Sequence, residues 1–211
     1  MTWRMLLLAC ACAALGGCAQ VGQPRVVKLF NGRDLTGWRV PREEFYSAAG
    51  KVYAAGGAMH LEAGHDMTGA AWTGAPPTDE YEIELEAMRV AGEDFFCGLT
   101  FPVGRQFATL IVGGWGGQVV GISNIDGQAA NENETTQGIE FAKGRWYPIR
   151  LRVAEGYVEV WIDGKQVIEL ERGTKQFGIW AQQEDVRPLG LNTWCTHGAM
   201  RNILLRRLRA D

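Results

Sequence analysis

An antiparallel β-sandwich of jelly-roll type is the all-β fold class that this 211-residue sequence predicts, on three observations. Apolar and polar residues alternate with period two in almost every segment, the pattern of a strand with one buried face. No long stretch carries a 3.6-residue apolar stripe, so the helical crossovers that a parallel sheet needs have no sequence to form them. The 28 glycines, together with Pro, Asn and Asp, bound short strands at close intervals, as hairpin-connected sheets require. No internal repeat of fixed period is present, which disfavours a propeller or solenoid.

The elements follow in order. "KLFNGRDLTGWRV", residues 28–40, reads as the boundary at which the folded part begins. Strands are expected at "KVYAAG", "AMHLEA" and "YEIELEAM", the last with Tyr81, Ile83, Leu85 and Ala87 inward and Glu82, Glu84 and Glu86 outward. "DFFCGLTFPV", "FATLIVGG" and "QVVGISNID" continue the pattern. "WYPIRLRV" sets Tyr147, Ile149, Leu151 and Val153 against Arg150 and Arg152. "YVEVWIDGKQVIEL" is a hairpin, because Asp163-Gly164 supplies the two positive-φ positions of a type I′ turn. "QFGIWAQQ", "PLGLNTW" and "MRNILLRRL" complete the set. Residues 126–144, "DGQAANENETTQGIEFAKG", form the longest segment without strand character, too polar for core and long enough to be a functional loop.

The first seventeen residues carry Arg4, then the short apolar run "MLLLACACAAL" and small residues, which is the form of a secretory leader. The run is too short to cross a bilayer as a helix. Leu15, Gly16 and Gly17 before Cys18 resemble a bacterial lipobox. That resemblance implies a signal peptide over 1–17 and lipidation at Cys18; the polar "AQVGQPR" reads as part of a tether over 18–25, and the remaining length suits one sandwich domain over 26–211. The expected location is the cell envelope, in the outer membrane where a cell has one, with the lipid anchor as the sole membrane attachment. Without Arg4, 20 Lys and Arg face 24 Asp and Glu. This mildly acidic balance without a basic run argues against nucleic acid as a partner. Cys97 and Cys195 remain after the leader, and their pairing is left open.

"LFNGRDLTGW", "YEIELEAMRV", "GRWYPIRLRVAEGYVEVWIDGKQVIEL" and "AMRNILLRRL" together resemble the 3-keto-disaccharide hydrolase domain family. The resemblance implies a concanavalin A-like, laminin-G-like sandwich and chemistry on glycosides already oxidised at C3. The middle of the chain, from "CGLTFPVGRQF" to "NENETT", departs from the family pattern. A 3-keto group acidifies the C–H at C2, so a base there begins an elimination that expels the C1 oxygen, and water adds later. This needs a base, an acid and donors for the enolate rather than the paired carboxylates of ordinary glycosidases.

The candidate catalytic groups are Asp94 at a strand start, Asp126 at a strand end, and Glu132 and Glu134 in the long loop, where the last three could meet above the sheet. The non-core side of the strands carries Glu82, Glu84, Glu86, Arg150, Arg152, Glu159, Trp161, Asn192 and Trp194. Of these, Arg150, Trp161, Asn192 and Trp194, with Trp115 of "GGWGG", are the candidate sugar contacts, since indole stacks on a sugar ring while polar groups pair its hydroxyls. Trp180 is a further candidate. Cross-strand charge pairing on a solvated face is the alternative for the charged set. No cofactor is implied. A divalent cation such as Ca²⁺ stays open, because oxygen ligands are abundant over 124–134. The three histidines make no metal site by spacing, His197 lying far along the chain from His60 and His65. A carbohydrate ligand or substrate is the expected partner, and a noncatalytic lectin-like module is the alternative function.

Overall fold

The computed structural model of the protein describes residues 26–42 and 44–208. The leader, Cys18 and the tether lie outside the described residues. Two antiparallel sheets face each other. The first contains β1 (Val26–Lys28), β3 (Val52–Ala55), β4 (Ala58–Leu61), β6 (Tyr81–Ala91), β11 (Tyr147–Ala154), β12 (Tyr157–Ile162), β13 (Lys165–Glu171) and β15 (His197–Arg207). Its order is β13-β12-β11-β6-β15-β4-β3, with β1 also paired to β15. The second contains β2 (Trp38–Arg39), β5 (Met67–Trp72), β7 (Cys97–Val103), β8 (Gln106–Gly114), β9 (Val119–Ser123), β10 (Gln137–Gly138) and β14 (Gly190–Trp194), in the order β10-β9-β8-β7-β14-β5-β2. Two short 3₁₀ segments, Glu44–Tyr46 and Ala181–Val186, complete the described elements.

The inward phase of each strand fills the space between the sheets. Tyr81, Ile83, Leu85 and Ala87 of β6 and Tyr147, Ile149, Leu151 and Val153 of β11 meet Leu99 and Phe101 of β7 and Leu110 and Val112 of β8. All are buried, so the period-two reading of these strands holds. The opening motif closes one end. Asn31 accepts from the backbone N–H of Arg33 and Asp34, Asp34 accepts from that of Thr36, and the Trp38 indole donates to the Leu29 carbonyl at 2.9 Å. Hydrogen bonds from Thr36 and Asn31 hold the Asp34 carboxyl down at about 2.

Three readings need correction. "QFGIWAQQ" is not a strand: Phe177 makes one isolated bridge to Ile125, and the chain then winds into the second 3₁₀ segment. Residues 126–144 include β10, paired to β9, and an ordered turn pinned by buried Asn133. The Asn133 amide donates to Ile122 O, Gln128 O and Ala129 O, and its oxygen accepts from Thr135. Finally, β15 pairs with β4 and carries His197 to within 3.2 Å of His60, although the two are distant in sequence. Cys97 is buried and Cys195 exposed, and both thiols are free.

Candidate functional site

The outer face of the second sheet carries a satellite apolar cluster in which Met67, Phe95 and Ile111 pack with Tyr46, Ala71, Ala130 and Val186. Above it opens a cleft of about 230 Å³ lined by Met67, Asp94, Phe95, Ile111, Trp115, Trp180, Gln182, Gln183 and Trp194. The floor is apolar and the rim aromatic. Trp115 is 45% exposed and Trp180 46%, values that leave the indole faces open to a ligand.

Each wall has a local cause. Trp115 tops the turn between β8 and β9 with φ +47°. Arg89, on the inward phase of β6 and only 4% exposed, holds that turn from beneath. Its guanidinium donates to Gly113 O at 3.1 Å, Gly117 O at 2.7 Å and Phe141 O at 3.3 Å, and lies 5.0 Å from the Phe96 ring centre. Glycine is required here, since a Cβ on Gly113 would stand 2.4 Å from Arg89 Nη2 and one on Gly117 3.2 Å from Nη1. Burial lowers the Arg89 pKa, while Glu93 and Asp94 oppose that shift.

Trp180 is fixed by Gln183, which accepts from the Trp180 N–H at 2.9 Å. The 3₁₀ segment that follows is docked by the Tyr46 hydroxyl, which donates to Gln182 O at 3.0 Å. Burial, with Asp185 adding to it, pushes the Tyr46 phenol well above its ordinary value, so it stays a proton donor. Asp94 sits in the connection between β6 and β7. Its N–H donates to Thr196 Oγ1 at 3.0 Å and its Oδ1 accepts from Phe95 N–H at 2.7 Å. Among the described residues nothing bonds the second carboxylate oxygen. Among the described residues Asp94 is the sole titratable group in the cleft lining. The S–H of nearby Cys195 donates to His65 O, and burial, then Asp66 and Asp94, push its pKa up.

The structure divides the sequence-derived candidates between two faces. Asp94, Trp115 and Trp194 meet in the cleft. Asn192 lies beside its floor, fully buried, with its side chain against the Tyr46 hydroxyl. A Cβ on Gly98 would come within 2.0 Å of the Asn192 oxygen and 3.2 Å of the Phe95 ring, which locates Asn192 under Phe95. Asp126, Glu132 and Glu134 are exposed and outside the cleft lining. Asp126 accepts from Gln176 N–H and Glu134 pairs with Lys175. Among the described residues no cluster of three or more His, Cys, Asp or Glu is placed to hold a metal ion.

Arg150 and Trp161 belong to the first sheet, as cross-strand partners on β11 and β12. There the Arg150 guanidinium lies 3.8 Å from the Trp161 ring centre and 3.6 Å from Glu82. Further charges on that face are paired in the same manner, Arg152 with Glu159, Arg201 with Glu86 and Arg206 with Glu84. The one face expected from alternation is thus two faces, because period two separates in from out without naming the sheet. Arg89, Tyr46, Gln182 and Gln183 were not anticipated. Only Arg89 left a signal, as a charge in the inward phase of "YEIELEAMRV".

Two facing antiparallel sheets, with an aromatic cleft on one outer face that carries one carboxylate, define the class as a two-sheet β-sandwich. The chain belongs to the 3-keto-alpha-glucoside-1,2-lyase-like domain family, whose model matches residues 25–206. The fold is similar to that of the carbohydrate-binding module CBM66 from Bacillus subtilis, with TM-score 0.54 and 13% identity over 81% of this chain and 95% of that one. It is also similar to apo Crh5 transglycosylase, with TM-score 0.59 and 12% identity over 90% and 86%. A Bacillus subtilis protein with a galectin-like fold gives TM-score 0.59 and 12% identity over 90% and 99%. No curated protein matches the chain.

Proposed function

We propose that the cleft binds a 3-keto-glycoside and that Asp94 is the base that removes its C2 proton. The observation that carries this reading is a carboxylate with one unbonded oxygen at the edge of a cleft walled by Trp115, Trp180 and Trp194. Membership of a 3-keto-glucoside lyase-like family supports it. In the step, the C2–H bond breaks toward Asp94, its electrons form C1=C2, and the C1–O bond breaks to release the aglycone oxygen. The C3 carbonyl carries the developing enolate charge, and the proton taken by Asp94 returns to the leaving oxygen. One carboxylate suffices for both transfers when proton and leaving group lie on the same face of the ring. Indole faces hold the ring, and Gln182 lies within the lining as a polar group for its hydroxyls.

A second reading has its own observation. Among the described residues no further titratable group lines the cleft, which also suits a noncatalytic carbohydrate-binding module, and CBM66 shares this fold. Incubating the protein with a 3-keto-disaccharide and its unoxidised parent separates the two. Release of sugar from the keto compound alone supports the enzyme; binding of both without turnover supports the module.

A further inference from the structure

On the outer face of the first sheet, away from the cleft, two imidazoles converge. His60 Nδ1 and His197 Nε2 are 3.2 Å apart, with ring centres 5.4 Å apart and planes at 62°. The pairing of β4 with β15 sets Ala199 opposite His60, so a small side chain leaves room for the His197 ring to lean across. Tyr53, opposite His60 on β3, stacks on its ring at 5.1 Å and 6° and fixes its plane. Both histidines are half-buried. Glu62, one residue beyond the end of β4, bears electrostatically on His197.

We propose that His60 and His197 form a chelate for a divalent transition metal of the Zn²⁺ class, with water completing the coordination. Two nitrogens bound to one tetrahedral Zn²⁺ at about 2.0–2.1 Å each stand about 3.3 Å apart, which the observed separation nearly matches. Both residues belong to paired strands and one ring is held by stacking, so little ordering remains to be done on binding. The negative charge of Glu62 favours a cation there. Two imidazoles without a thiolate select the borderline metals over Ca²⁺ or Mg²⁺. Binding displaces any proton on either nitrogen, so affinity falls in acid.

The test is calorimetric titration with Zn²⁺ at pH 7.5 of the full chain carrying Cys10→Ser, Cys12→Ser and Cys18→Ser, since those thiols would themselves take the metal, alongside long-range ¹H–¹⁵N spectra of the imidazoles. The expected result is one equivalent bound, with the His60 and His197 nitrogens shifting and His65 unmoved. His60→Gln and His197→Gln each weaken binding about tenfold or more, Glu62→Gln about threefold, and His65→Gln and Cys195→Ser leave it unchanged. The spectra of the chain with both histidines stand even where a variant misfolds. No shift at either nitrogen, or loss of binding on substituting Cys195, overturns the proposal and leaves the pair a plain hydrogen bond.

Discussion

Arg89 is the residue on which the cleft rim depends. Its two Nη atoms bond three carbonyls, and each acceptor left without a donor inside a protein costs about 1–3 kcal/mol. Arg89→Met is expected to lower stability by about 2–4 kcal/mol in urea unfolding and to weaken ligand binding through loosening of Trp115. Gly113→Ala attacks the same contact from the other side, through a Cβ 2.4 Å from Nη2 at a φ of +80°, and should destabilise similarly. Glu86 offers a pH test. Burial raises its pKa, but bonds from Arg201 and Asn202 outweigh that and the net shift is downward. A depressed carboxyl adds stability above its unfolded pKa and loses it as pH falls through the folded one. The stability gap between the protein and Glu86→Gln should therefore be constant near neutrality and close below about pH 4.

At the scale of elements, alternation was legible where a strand has one wet face. β6, β11, β12 and β13 show it, and their residues are placed as the pattern requires. β5 was invisible because Met67–Trp72 is covered on both faces and built from small residues, with burial at every position but the last. "QFGIWAQQ" alternates yet bridges only through Phe177, since the turn at Trp180 is bonded to Gln183 instead of a neighbouring strand. The long loop read as polar, and its order comes from one buried amide that no period reveals. Asn133→Ala removes three donated and two accepted bonds. It should cost about 2–4 kcal/mol and speed hydrogen exchange across 124–136. Exchange unchanged there would show that the loop is held by something else.

At the scale of the whole molecule, the two outer faces behave differently. The first sheet neutralises its charges by cross-strand pairs, while the second gathers three indoles, two glutamines and one carboxylate over an apolar floor. The family was legible from the boundary motif and the hairpin, but the site was only partly so. Its members come from the β6–β7 and β8–β9 connections, a 3₁₀ segment and the end of β14, and only topology joins those. If Cys18 is lipidated as its sequence context implies, Cys18→Ser should move the protein from the membrane fraction to the soluble one; unchanged partition would remove the anchor. The most direct test of the glycoside reading is turnover of a 3-keto-disaccharide by Asp94→Asn, with binding followed by tryptophan fluorescence. Loss of about a hundredfold or more in rate, with binding retained, is the predicted result. Turnover unchanged by the substitution would contradict it.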